Sequence, residues 1–186
     1  YKIKKTVIHS DVRFTYKTAQ DVIDNKKGEL TTELLLLDRL SKILRKRRQE
    51  NGSINFESTE VKFILDKKNN PIDVYFKESL STNHLIEEFM LLANKTVAKH
   101  IGFPKNKANT FVYRVHDIPD SDRIATLNNI VKKFGHTINN TSTNKLSSSL
   151  NRLLKNVKGK KEQQMVETLT IRSMAKAVYT TNNIGH

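Results

Sequence analysis

Apolar and polar positions alternate from Thr6 to Tyr16, with Val7 and His9 followed by Val12 and Phe14 on one side, and this period of two predicts a strand. A short helix is predicted from Tyr16 to Asp24, with Thr15 or Thr18 as its cap, before a turn at Asn25 to Gly28. The period then lengthens. Leu36, Leu37, Leu40, Ile43 and Leu44 form the stripe of a helix that starts at Thr31 or Thr32, runs to about Glu50 and stops at Gly52. Alternation returns in a predicted meander: Ser53 to Phe56, then Val61, Phe63 and Leu65, then a turn at Lys67 to Asn70, then Ile72, Val74 and Phe76. A helix follows from Ser81 or Thr82 to about Ile101, ended by Gly102 and Pro104. Phe111 to Val115 reads as a strand. Further helices are predicted from Ser121 to Phe134, from Leu146 to Val157 and from Glu162 to Tyr179, with an Asn/Thr/Ser-rich loop at Thr137 to Asn144. Strands and helices mix without a strict strand–helix–strand rhythm. The class is therefore α+β, with a mixed or antiparallel sheet ringed by about six helices.

Composition narrows the partners. The chain has 186 residues, which fits one domain with a sizeable core. Its 33 Lys and Arg against 19 acids leave a formal charge of +14, which favours a polyanionic partner. A merely basic protein is the plainer alternative, but the cations cluster: Lys42, Arg45, Lys46, Arg47 and Arg48 share the end of one predicted helix. A helix end also favours cations through its dipole, so that block is balanced between phosphate contact and a solvated terminus. Cysteine is absent, which excludes disulfides, thiolate metal sites and a Cys nucleophile, and is compatible with a reducing, cytoplasmic location. No apolar run approaches the roughly 20 residues of a membrane span, so no membrane partner is expected. The chain starts at Tyr1 and ends at His186 directly after a helix-like run, which reads as a piece of a longer protein.

Three constellations carry candidate chemistry. The run from His84 to Asn94 sets Glu87 and Glu88 against the apolar block Phe89 to Ala93, where carboxylates cost free energy unless paired or wet. A zinc set on this helix would need a second His, and carboxylates favoured by the helix dipole explain the pair more plainly than a metal does. A contact to RNA or ribose suits the basic context better. Asp117, Asp120 and Asp122 are the second set. Metal-assisted hydrolysis needs converging carboxylates, but Asp120 and Asp122 flank a predicted helix start, where capping is the simpler role. The third set is aromatic. Tyr16 and Phe56 each end a predicted strand, and such rings can stack bases for about 1–3 kcal/mol each. A core position is the plainer reading of Phe56, and Tyr16 is open between the two. Only six glycines are spread along the chain, so no Gly-rich phosphate loop exists.

Six segments, in order, resemble the catalytic domain of the RNase II/RNase R (RNB) exoribonucleases, and RNase R most. They are Val7 to Tyr16, Asn51 to Phe56, Glu60 to Phe63, His84 to Asn94, Tyr113 to His116, and Ile171 to Tyr179 running into Asn183 to His186. The resemblance implies a β-barrel-like core ringed by helices, and processive 3′→5′ hydrolysis of single-stranded RNA with Mg²⁺ to release nucleotide monophosphates. It implies that Tyr16 and Phe56 clamp the terminal bases and that Glu87 lies near the RNA backbone. The family's metal-binding Asp cluster and its Arg-bearing motif have no counterpart between Tyr1 and His186. The resemblance therefore implies one partial RNB domain over residues 1–186, with no catalytic or metal-binding residues in it and no hydrolysis by the segment alone. The alternative is a non-catalytic nucleic-acid-binding module. A sheet cut from its neighbours leaves edges and apolar faces open, so self-association of the segment is also expected.

Overall fold

Thr15 and Thr18 start the first helix by capping each other. Thr15 Oγ1 accepts the amide of Thr18 at 3.1 Å, and Thr18 Oγ1 accepts the amide of Thr15 at 2.9 Å. This reciprocal box opens α1 (Tyr16–Asn25), which ends at Lys26 in the left-handed region. The computed structural model describes residues 2, 4–54, 56, 60–77, 79–102 and 109–182, without the side chains of 60 and 77. The further elements are α2 (Thr31–Glu50), β1 (Glu60–Leu65), β2 (Pro71–Lys77), α3 (Ser81–Gly102), β3 (Tyr113–Val115), α4 (Ser121–Lys132), α5 (Thr143–Val157), α6 (Gln163–Ser173) and β4 (Val178–Thr180). The α+β class is as expected, as are the six helices among the described residues. The antiparallel strands are divided between two pairs, β1 with β2 and β3 with β4.

Four local expectations are corrected. Thr6 to Tyr16 forms no strand up to Thr15: the segment is irregular and Val7 and Ile8 are fully exposed. A strand persists only through its ladder, and no described segment pairs with this one. Ser53, Ile54 and Phe56 are also irregular, and Asn55 lies outside the described residues. Neither Thr31 nor Thr32 caps α2. Leu30 holds the cap position in the left-handed region at φ 52°, and Thr31 Oγ1 instead donates to the Gly28 carbonyl at 2.7 Å. The last helix stops at Ser173. Met174 turns extended, and the β-branched and aromatic Val178-Tyr179-Thr180 pair with β3.

The largest surprise is the rotation of α2. Its leucine stripe faces outward: Leu36, Leu37, Leu40 and Ile43 are exposed. Asp38 and Ser41 are buried, and Arg45 and Arg48 half-buried, on the opposite face. The carboxylates of α3 lie on that side, and pairing with them decides the rotation against the apolar stripe. The helices α1, α2 and α3 pack on one another, and α6 packs on both α4 and α5. Ile124, Leu127, Val131, Leu150, Leu153, Val157 and Val166 form an apolar core within the second group. Each such side chain contributes about 1.5–3 kcal/mol on full burial.

One short segment joins the two helical groups. After α2, Gly52 takes φ 88°, a conformation that glycine adopts without strain, and turns the chain so that Ile54 packs against the α4–α6 core. Asn151 Nδ2 on α5 donates to the Ser53 carbonyl at 3.0 Å. Ser53 is thereby held from the α5 side.

Candidate nucleic-acid interface

The first turns of α3 tie two of the candidate residues, Tyr16 and Glu87, to one helix. Gln20 on α1 reaches across to it: its Oε1 accepts Ser81 Oγ at 2.9 Å and the Thr82 amide at 3.2 Å. A side-chain acceptor thus satisfies an amide that has no partner within the helix. Thr82 Oγ1 in turn donates to the Tyr16 carbonyl at 3.0 Å. These bonds fix the start of α1, and hence Tyr16, against the start of α3. The Tyr16 side chain itself is 49% exposed. Glu87 stands five residues beyond Thr82, roughly 7.5 Å along the helix axis.

Glu87 and Glu88 have different fates. Glu88 is only 3% exposed, and it is buried as half of an ion pair. Arg48 Nη2 donates to Glu88 Oε1 at 2.6 Å, and Nε donates to both Glu88 oxygens at 3.0 and 3.3 Å. Two parallel N–H donors matched to one carboxylate make a strong, directional contact. The Glu87 side chain is 46% exposed. It accepts Arg48 Nη2 at 3.1 Å, with Arg45 Nη1 at 3.8 Å and His84 Nδ1 at 3.5 Å from its other oxygen. Two arginines therefore balance two carboxylates. A bare carboxylate would repel a phosphate chain, whereas this group as a whole does not.

Phe56 is half-buried and follows Ser53, whose hydroxyl accepts Arg48 Nη1 at 3.0 Å. Tyr16, Glu87 and Ser53 are thus connected through α3 and Arg48. The sequence reading missed Arg48 and Gln20 as the connectors. A signal for Arg48 existed: Asp38, Ser41, Arg45 and Arg48 recur at helical spacing on one face, opposite the leucines.

The other candidates are placed as follows. Asp120 caps α4, its Oδ1 accepting the Asp122 amide at 2.9 Å, and Asp117 Oδ1 accepts the Ile118 amide at 2.7 Å. The basic block on α2 is largely matched by acids: Lys42 to Asp38 at 2.5 Å, Lys46 to Glu50 at 3.9 Å, and both Arg45 and Arg48 to α3. A groove of about 440 Å³ is lined in part by Gln49, Asn151, Lys155, Lys158 and Glu167, and none of the candidate residues borders it. Among the described residues no three His, Asp or Glu side chains form a set that could hold a metal ion. No helix among them is long and apolar enough to cross a membrane.

Comparison with known proteins bears on the fold and the family. The chain matches the RNB domain family over residues 1–186. It is 32% identical to Ribonuclease R of Aquifex aeolicus over 195 residues, covering all of this chain and 27% of that protein. It is 35% identical to Ribonuclease R of Thermotoga maritima over 201 residues, covering all of this chain and 26% of that protein. The structure of Mycoplasma genitalium RNase R in complex with ribose methylated single-stranded RNA aligns with a TM-score of 0.76 at 25% identity, over 94% of this chain and 28% of that chain. The chain thus spans about a quarter of the length of the Ribonuclease R proteins it matches. A match that runs from the first residue to the last, with the same fold in a solved relative, makes this chain a member of the RNB domain family.

Proposed function

We propose that the full-length protein is a 3′→5′ exoribonuclease of the RNase R type. It hydrolyses single-stranded RNA with Mg²⁺, releases nucleotide monophosphates and works in the cytoplasm. Residues 1–186 form part of a single RNB domain and supply RNA-channel and base-clamp residues: Tyr16 and Phe56 stack the terminal bases, and Glu87 borders the backbone. The observation that carries this reading is the tie of Tyr16, through its carbonyl and Thr82, to the helix that bears Glu87, in a chain that matches the RNB family throughout. Tyr16 offers an exposed ring, as stacking requires, on a start of helix that is tied down.

The described residues offer no set for the metal, so no chemical step is assigned to them. Their work in this reading is to grip and orient the strand. Hypothesis: the 186 residues alone hydrolyse nothing, while the full-length protein shortens a 5′-labelled single strand from its 3′ end. Release of nucleotide monophosphates by the segment alone, free of contaminating nuclease, would overturn the first half. A full-length protein that binds RNA with steep salt dependence yet never shortens it would favour the non-catalytic binding module instead.

A further inference from the structure

Arg48 spends its guanidinium on three residues from two places in the chain. Nε and Nη2 bind the buried Glu88, Nη2 also binds Glu87, and Nη1 binds Ser53. Two of these partners lie on α3, and the third lies three residues before Phe56. Ser53 is also held through its carbonyl by Asn151. The planar fork of arginine can reach three acceptors in fixed directions, whereas lysine carries its donors on one nitrogen and cannot.

We infer that Arg48 is a positioning residue for RNA handling: its guanidinium sets the Glu87 carboxylate and Ser53, three residues before Phe56, in one geometry, with Glu88 as the buried anchor. The inference rests on the RNA-channel reading of Phe56 and Glu87. The Arg48 donors that face Glu87, Glu88 and Ser53 are committed to those protein groups. Its replacement acts only through the two groups that it holds.

The test is an epistasis experiment in the full-length protein, reading the Kd for single-stranded RNA and the length of the final degradation product. Arg48→Lys is expected to weaken RNA binding by about 10-fold and to alter product length. Placed on a Phe56→Ala, Glu87→Gln background, the same change is expected to add less than about 2-fold, within the additivity error of independent sites. General damage would instead cost the same on both backgrounds, and that result overturns the inference. Ser53→Ala removes only the Nη1 contact and serves where Arg48→Lys folds poorly. Its loss should disappear on a Phe56→Ala background and persist on a Glu87→Gln one. Equal losses on both backgrounds contradict the assignment. Should Phe56→Ala and Glu87→Gln leave RNA handling untouched, the channel reading itself fails, an outcome distinct from the failure of Arg48 as its strut.

Discussion

Arg48 Nη2 sits 2.6 Å from Oε1 of Glu88, a residue 40 positions away and 3% exposed. A charge in that position is tolerable only while its partner is present. Arg48→Met is therefore predicted to destabilise the chain by about 3–5 kcal/mol, since it leaves Glu88 buried and unpaired. The double change Arg48→Met, Glu88→Met should recover most of that loss, because two apolar groups of similar volume carry no desolvation cost. Urea unfolding of Arg48→Met, Glu88→Met and the double variant checks this. Additive losses in the double variant would show that the pair is not coupled.

A second prediction concerns pH. The Asp66 carboxylate holds the β1–β2 turn, accepting the amides of Asn70 at 2.9 Å and Lys68 at 2.7 Å and the Asn70 side-chain amide at 3.1 Å. These bonds, those from Asn70 foremost, hold its carboxyl below the usual Asp value. A folded-state value that is lowered gives stability present above the unfolded value and lost as pH falls through the folded one. The amide of Asn70 should thus lose its exchange protection as pH falls below the ordinary Asp range, and Asp66→Asn should remove that pH response. Protection that is flat across this acid range, read by hydrogen exchange, contradicts it.

Gly102 makes a third. It is buried at the end of α3, and a Cβ there would run into the Tyr113 hydroxyl on β3. Gly102→Ala should cost about 1–3 kcal/mol as an overpacked site. Tyr113→Phe removes the oxygen and should restore part of the loss in the double variant. Thermal unfolding measures both, and an Ala variant as stable as wild type argues against the close approach.

The β1–β2 hairpin makes a fourth. Val61 lies opposite Phe76 and Phe63 opposite Val74, and all four are exposed. Such a face invites association. The 186-residue chain should therefore self-associate in sedimentation experiments over a concentration series, and Phe63→Lys with Phe76→Lys should reduce this. A wild-type chain that stays monomeric throughout refutes the prediction.

How much of this was legible in the sequence varies by the range of the interaction. Thr15 and Thr18, Asp120, and the Lys67–Asn70 turn act on neighbours within a few residues, so caps and hairpin were readable from spacing alone. The rotation of α2 was not. Its leucines promised burial, but Glu87 and Glu88, some 40 residues on, drew Arg45 and Arg48 inward instead. Strands depend on partners in the same way. Val178 to Thr180 became one because β3 was there to pair with it, and Thr6 to Thr15 did not because no described segment was. For the candidate site, Tyr16, Phe56 and Glu87 entered through family resemblance. The linkage of Tyr16 and Glu87 through Gln20, Thr82 and Arg48 came only from the fold.

The most direct measurement is the product ladder of the full-length protein carrying Tyr16→Ala, on a 5′-labelled single-stranded RNA. Loss of one stacked base should weaken retention of short RNA by about 1–3 kcal/mol and change the length at which degradation stops. A ladder and an affinity identical to wild type would contradict the claim that this segment grips the end of an RNA strand.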